Sequence, residues 1–120
     1  EWTNRERQRH GLKPLSLNEK ACDIARLKSQ DMRDTQYVAY ISPTYGTPLE
    51  MMRNFHLQFR IAAANHAAGP ETAEMAVRGW MESPEHRQHI LNPDFTEIGV
   101  GYVEGGALGS YWTQLLIDPR

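Results

Sequence analysis

The C-terminal end of this chain of 120 residues reads as a β-hairpin, and that pattern constrains what the rest can form. Residues 95–103 place Ile98, Val100 and Tyr102 in alternation, with Gly99 and Gly101 between them. Residues 104–109 make a Gly-rich turn, and Ser110 opens a return strand through Tyr111 and Trp112 to Ile117. Alternation at period two on either side of a Gly-rich turn is the hairpin pattern, with Trp112 on the core strand. Helical patterns precede it. Helices first and a hairpin last indicate an α+β layered domain, not a parallel βαβ fold.

The helical patterns are distinct. Residues 1–10 are polar and helix-compatible, with Trp2 as the one large apolar side chain, and Gly11 ends them. Lys13-Pro14-Leu15 is an extended link. Ser16-Leu17-Asn18-Glu19 reads as a capping box for a long helix over about residues 17–35. Ala21, Ile24, Ala25, Lys28 and Met32 fall on one face of it, with Cys22 alongside. Residues 37–48 are a loop punctuated by Pro43, Gly46 and Pro48, and 49–55 form a short helix. Residues 58–67 are Ala-rich without an amphipathic period and are expected to be extended. Gly69-Pro70 opens a helix with Glu71 and Glu74 near its start and Ala73, Ala76, Val77 and Trp80 as its buried stripe. Ser83 is the expected N-cap of a further helix reaching about Leu91.

Length and composition exclude several function classes. One domain spanning residues 1–120 is expected, with roughly two-thirds of the unfolded surface buried. The net charge of −2 gives no basis for nucleic-acid binding or for an anionic membrane surface. Arg5, Arg7, Arg9 and Lys13 interleave with Glu1 and Glu6 at helical spacing, the pattern of a solvated face. Cys22 is the lone cysteine, so no intrachain disulfide or all-thiolate metal site is possible, and a small buried apolar role is expected for it. No run approaches 18 apolar residues, so no membrane span is expected. No signal peptide pattern is present, and the abrupt helical start suggests a fragment of a longer precursor.

The motifs together resemble a known family. Asn4-Arg5-Glu6-Arg7 followed by Gly11-Leu12-Lys13-Pro14-Leu15 resembles the opening of bacterial CAP domains, the superfamily of cysteine-rich secretory proteins, antigen 5 and pathogenesis-related proteins. Ser42-Pro43 with Tyr45-Gly46, Trp80-Met81-Glu82-Ser83-Pro84-Glu85-His86-Arg87 and Ile90-Leu91-Asn92-Pro93 continue the match. Phe95 to Tyr102 and Tyr111-Trp112-Thr113-Gln114 complete it. The resemblance implies a three-layer α-β-α sandwich and an extracellular or cell-envelope location.

It also implies a central cleft with two histidines and two acidic residues, sometimes with a metal. Two of those positions differ here. Tyr40 stands where the first histidine is expected, and Ala64 stands in place of a carboxylate. The family-matched residues that remain are His86 and Glu50, the latter at about the first acidic position.

The chemistry left to such a cleft is limited. A catalytic zinc site uses about three protein ligands and an open position, and a phenol is a poor ligand until deprotonated. No tight metal site and no cofactor are therefore expected, with Tyr40 and Ala64 filling the cleft by packing. His86 and His89 lie three apart on one helix, which is a weak metal signal. His89 is expected to face solvent, and His56 and His66 either lie on the surface or line the same cleft. No Gly-x-Ser-x-Gly elbow or His-Glu-x-x-His helix is present. A hydrolase would have to rely on Glu50 and His86, with no activated nucleophile beside them. The reading favoured is a non-catalytic binding or signalling module whose cleft suits a protein, lipid or peptide ligand, with Tyr37, Tyr40 and Tyr45 as candidate contacts.

Overall fold

The computed structural model describes residues 2–119. Its elements in chain order are α1 (Trp2–Arg9), β1 (Ser16–Leu17), α2 (Glu19–Thr35), α3 (Pro48–Asn54), β2 (Ile61–Ala68), α4 (Ala73–Glu82), α5 (Pro84–Ile90), β3 (Glu97–Glu104) and β4 (Ser110–Asp118). The sheet order is β1-β3-β4-β2, with β4 antiparallel to both neighbours and β1 parallel to β3. The sheet is the middle layer of a three-layer α-β-α sandwich, which agrees with the fold the motifs imply.

Strand β4 is central and buried from end to end, because its two faces serve two cores. On one face Leu115 and Ile117 pack with Ile24 and Ala25 of α2 and Met51 and Met52 of α3. On the other, Trp112 packs with Ala76, Val77 and Trp80 of α4 and Ile90 of α5. Each face is covered by a helix whose apolar stripe recurs at helical spacing. The stripe of α2 is buried as expected, with Ala21, Ile24, Ala25, Lys28 and Met32 all out of solvent.

Strand β3 departs from the expected alternation. Ile98 is buried, but Val100 and Tyr102 are 37% and 39% exposed. The face toward α2 is formed by Gly99, Gly101 and Val103 instead. A Cβ on Gly99 would lie 2.3 Å from the Ala21 carbonyl carbon, and one on Gly101 would lie 2.2 Å from the Arg26 nitrogen. Helix α2 therefore rests directly on the strand backbone, an approach that only glycine permits.

Local caps also differ from the expectation. Ser16 and Leu17 pair with Glu97 and Ile98 as a strand, so Asn18, not Ser16, caps α2 by accepting from the Ala21 N–H at 2.9 Å. The capping box lies at α3, where Thr47 and Glu50 bond reciprocally. Helix α4 begins later than Gly69-Pro70: Thr72 caps it, Glu71 lies outside it, and Ala73 is exposed. The Pro70 carbonyl accepts from Ser110 Oγ and Trp112 Nε1, which ties that segment to β4 and delays the helix. Ser83 occupies the cap of α5 without a side-chain hydrogen bond, followed by Pro84. Cys22 is half-buried and free, because it sits at the side of the α2 stripe.

The largest correction concerns the basic face of α1. Arg7 is 1% exposed, whereas Arg5 and Arg9 keep to the outer side of the helix, and Glu1 lies outside the described residues. Its guanidinium donates to the carbonyls of Lys13 at 2.9 Å, Ile90 at 2.8 Å, Asn92 at 2.9 Å and Phe95 at 3.4 Å. Four carbonyls from three separate segments converge on one fork of donors, which suits arginine and no other side chain. Arg7→Ala is expected to lower unfolding free energy by about 3 kcal/mol, because several buried acceptors lose their donor together. Arg7→Lys should recover only part of that loss, since an ammonium cannot span the four carbonyls. Urea unfolding of the three proteins measures both effects, and an Arg7→Ala change within experimental error would refute the assignment.

Candidate functional site

A cavity of about 520 Å³ opens at the free side of β2. One wall is the segment Val38, Ala39 and Tyr40, which follows α2. The other is Glu85, His86 and His89 on α5, and between them lie Ala64 and His66 of β2. Three of the four residues singled out by sequence, Tyr40, Ala64 and His86, thus line one cavity.

Glu50 does not line it. Its carboxylate accepts from the Thr47 N–H at 2.9 Å while Thr47 Oγ1 accepts from the Glu50 N–H at 3.1 Å. The side chain is exposed and held at the start of α3, and its hydrogen bonds with Thr47 pull its pKa below the usual range. Capping takes up the group that an acid–base pair with His86 would need. His56 is likewise elsewhere, exposed at the end of α3 with a φ of 64°.

Two histidines take up places that the sequence left open or assigned otherwise. His89 is half-buried, not solvent-facing: Nδ1 lies 2.9 Å from Asn65 Oδ1, and the ring also meets the Ala64 backbone. His66 lines the cavity, with its ring edge-on to Tyr40 at a centroid distance of 6.4 Å. Its Nε2 is sealed from solvent and has no hydrogen-bond partner among the described residues. Burial, with Lys28 and His86 adding like-charge repulsion, pushes the His66 pKa down to about 3. Burial also lowers that of His89. The His66 ring is neutral at pH 7.

Tyr40 remains 46% exposed and leaves the cavity open where packing was expected to close it. Beneath it, Lys28 is 2% exposed, donates to the Tyr40 carbonyl at 3.1 Å and sits 4.9 Å from the Tyr37 ring centroid. Burial lowers its pKa to about 8 against the opposing pull of Asp31. Asp31 accepts from Tyr37, Ser42 and Thr44 hydroxyls. Burial works to raise the Asp31 pKa, and those three hydroxyls with Lys28 outweigh it and hold it low. The network fastens the 37–45 loop to α2 and so sets one wall of the cavity. Tyr37 is occupied by Asp31, and Tyr45 packs on Phe55 at 5.9 Å, which leaves Tyr40 as the exposed aromatic at the rim.

The opposite wall is fixed by a polar chain across the sheet. Asn65 Nδ2 donates to Gln114 Oε1 at 3.0 Å and to the His86 carbonyl at 3.3 Å, and Gln114 Nε2 donates to Thr3 Oγ1 at 2.6 Å. Trp80 Nε1 donates to the His66 carbonyl at 3.1 Å. Among the described residues no three His, Cys, Asp or Glu side chains come together so as to hold a metal ion. Lys28, Asp31 and Glu85 were not singled out as site residues by sequence. A charged residue inside the apolar stripe of α2 was the signal for Lys28, and His66 stood out as the one ring among the residues of β2.

The model of the cysteine-rich secretory protein family, CAP, matches residues 1–116. The chain belongs to the CAP family. The Bacillus subtilis protein YkwD is 51% identical over 117 residues, which cover 98% of this chain and 44% of that protein. An extracellular SCP-domain protein of Bacillus anthracis, solved by crystallography, superposes with a TM-score of 0.89 at 35% identity, over 97% of this chain and 37% of that one. An outer surface protein of Borrelia burgdorferi shares the fold, with a TM-score of 0.89 at 17% identity over 98% of this chain and 87% of its own. This CAP chain spans less than half the length of the two Bacillus relatives. No helix in the described residues is long and apolar enough to cross a membrane.

The buried imidazole makes stability depend on pH. Lowering the folded pKa of His66 below its ordinary 6.5 means that acid favours the unfolded chain, which binds the proton more readily. That contribution is intact above pH 6.5 and is lost as pH falls toward about 3. Unfolding free energy should drop by about 3 kcal/mol between pH 7 and pH 4. His66→Leu should flatten that slope and, by removing an unpaired polar atom, leave stability at pH 7 equal or higher. An unchanged slope in the variant would exclude His66 as its source.

Proposed function

We propose that this CAP domain is a non-catalytic binding or signalling module of an exported or envelope-associated bacterial protein, with its ligand held in the cavity between Tyr40 and α5. The observation that carries the reading is the character of that cavity. It has the volume of a small-ligand site and is lined by three imidazoles, a phenol, apolar groups and a single carboxylate, Glu85, a mixture suited to recognition. The Ala64 methyl stands where an acid is expected, and Glu50 is engaged in a helix cap. The extracellular description of the Bacillus anthracis relative supports the location.

Two titrations test the reading. Calorimetry with zinc chloride should show no micromolar binding, and micromolar binding lost on His86→Ala would sink it. Peptidase or esterase turnover abolished by Glu50→Gln would establish the hydrolase alternative instead. Binding itself is read from backbone amide shifts on titration with octanoate and with an acetylated, amidated pentapeptide of alternating threonine and valine. At least one probe should move residues 38–40 and 85–89 saturably; silence with both would overturn the binding role.

A further inference from the structure

Strand β2 is the outer strand of the sheet beyond β4, and it carries no charge and no proline in its eight residues. Charges, prolines and bulges are the usual means by which an edge strand is kept from pairing with another chain, and β2 has neither of the first two. Its main-chain groups can be assigned a direction. Gly69 donates to the Ser110 carbonyl at 2.9 Å, continuing the register that sets Ala67 opposite Trp112 and Asn65 opposite Gln114. Hydrogen-bonded and non-hydrogen-bonded pairs alternate in an antiparallel ladder. Asn65 and Ala67 therefore direct their main-chain groups to β4, whereas Ala64 and His66 direct theirs away from it, at the cavity.

The outward acceptors are occupied. Trp80 Nε1 takes the His66 carbonyl, and the His89 ring meets the Ala64 backbone. The Ala64 and His66 N–H groups have no such partner among the described residues. Two unpaired donors thus remain, with the Lys28 ammonium beneath Tyr40 and one exposed carboxylate, Glu85, in the lining. This donor-rich setting complements oxygen acceptors. The two N–H groups are two residues apart on a strand, or about 6.6 Å, which is also the repeat of alternate carbonyls in a second extended chain. A single carboxylate meets only one of them.

We infer that the cavity-side edge of β2 receives the carbonyl oxygens of an extended peptide at the Ala64 and His66 N–H groups, with the peptide lying between residues 38–40 and α5. The inference rests on the binding role proposed above and names its ligand class. The mode is strand addition, in which main-chain bonds supply affinity and the flanking side chains select sequence.

The test uses the same capped threonine–valine pentapeptide. At saturation, hydrogen exchange at the Ala64 and His66 amides should slow at least tenfold, while the amides of Ala63 and Asn65 are already slow in the free protein. Acetate at equal concentration should slow neither outward amide; equal protection by acetate would make the site one for anions and overturn the proposal. Two N-methylated forms of the peptide, methylated at alternate residues in the two possible frames, leave the protein unaltered. Only the frame that faces β2 should lose binding, by tenfold or more, and equal binding by the two frames overturns strand addition. Ala64→Pro removes one donor and none of the bonds to β4, and should weaken the parent peptide by a similar factor. Wall shifts with octanoate alone would leave the binding role standing and remove the peptide. No wall shifts with any probe would remove both.

Discussion

One buried guanidinium joins the parts of the molecule that the cavity depends on. Arg7 draws together the carbonyls of Lys13, Ile90, Asn92 and Phe95, and those residues belong to the link before β1, the end of α5 and the approach to β3. A helix end leaves its last carbonyls without intrahelical partners. Arg7 supplies the donor for the one at the end of α5, which fixes where that helix stops and how it lies against α1. His86 and His89 stand on α5, so their place beside β2 depends in part on the arginine at the end of that helix. The first helix of the chain is thereby tied to the site without contributing a residue to it.

The two walls of the cavity are held by separate polar networks on opposite faces of the sheet. Thr3, Gln114, Asn65 and His89 form a chain from α1 through β4 and β2 to α5. On the other face Asp31 gathers Tyr37, Ser42 and Thr44, and Lys28 takes the Tyr40 carbonyl. Buried polar groups in such chains are costly when a member is lost and specify geometry when all are satisfied. The loop wall is thus tied to α2 by the Asp31 and Lys28 contacts and not to α5.

Local pattern in the sequence was sufficient where periodicity alone decides structure. The stripe of α2, the terminal hairpin and the order of the five helices follow from spacing that tertiary contacts do not override. What escaped depended on distant partners. Arg7 looks like any basic residue of a polar helix until carbonyls more than 80 positions away close on it. Ser16 fits a capping box until Glu97 offers a strand to pair with, and β3 alternates plausibly until α2 takes its glycine face. At the site, Tyr40, Ala64 and His86 were legible because motifs flank each of them. Glu50 was misleading because its loop sets the spacing, and the same carboxylate satisfies the adjacent helix cap. His89 and His66 needed the partners supplied by Asn65 and by burial.

The methyl group at position 64 and the neutral state of His66 are physically linked. A carboxylate at position 64 would lie on the same face of β2 as His66 and would favour its protonated form. With Ala64 there, the charges that His66 feels come from Lys28 and His86, and both oppose protonation. Burial adds to the same effect, so the ring stays uncharged across the physiological range. A cavity built this way keeps a single carboxylate, Glu85, in its lining and has Lys28 close by, which repels a divalent cation. Apart from the exposed Glu85 carboxylate, its polar groups are imidazoles, a phenol and main-chain N–H groups. Dipoles of that kind discriminate by hydrogen-bond direction.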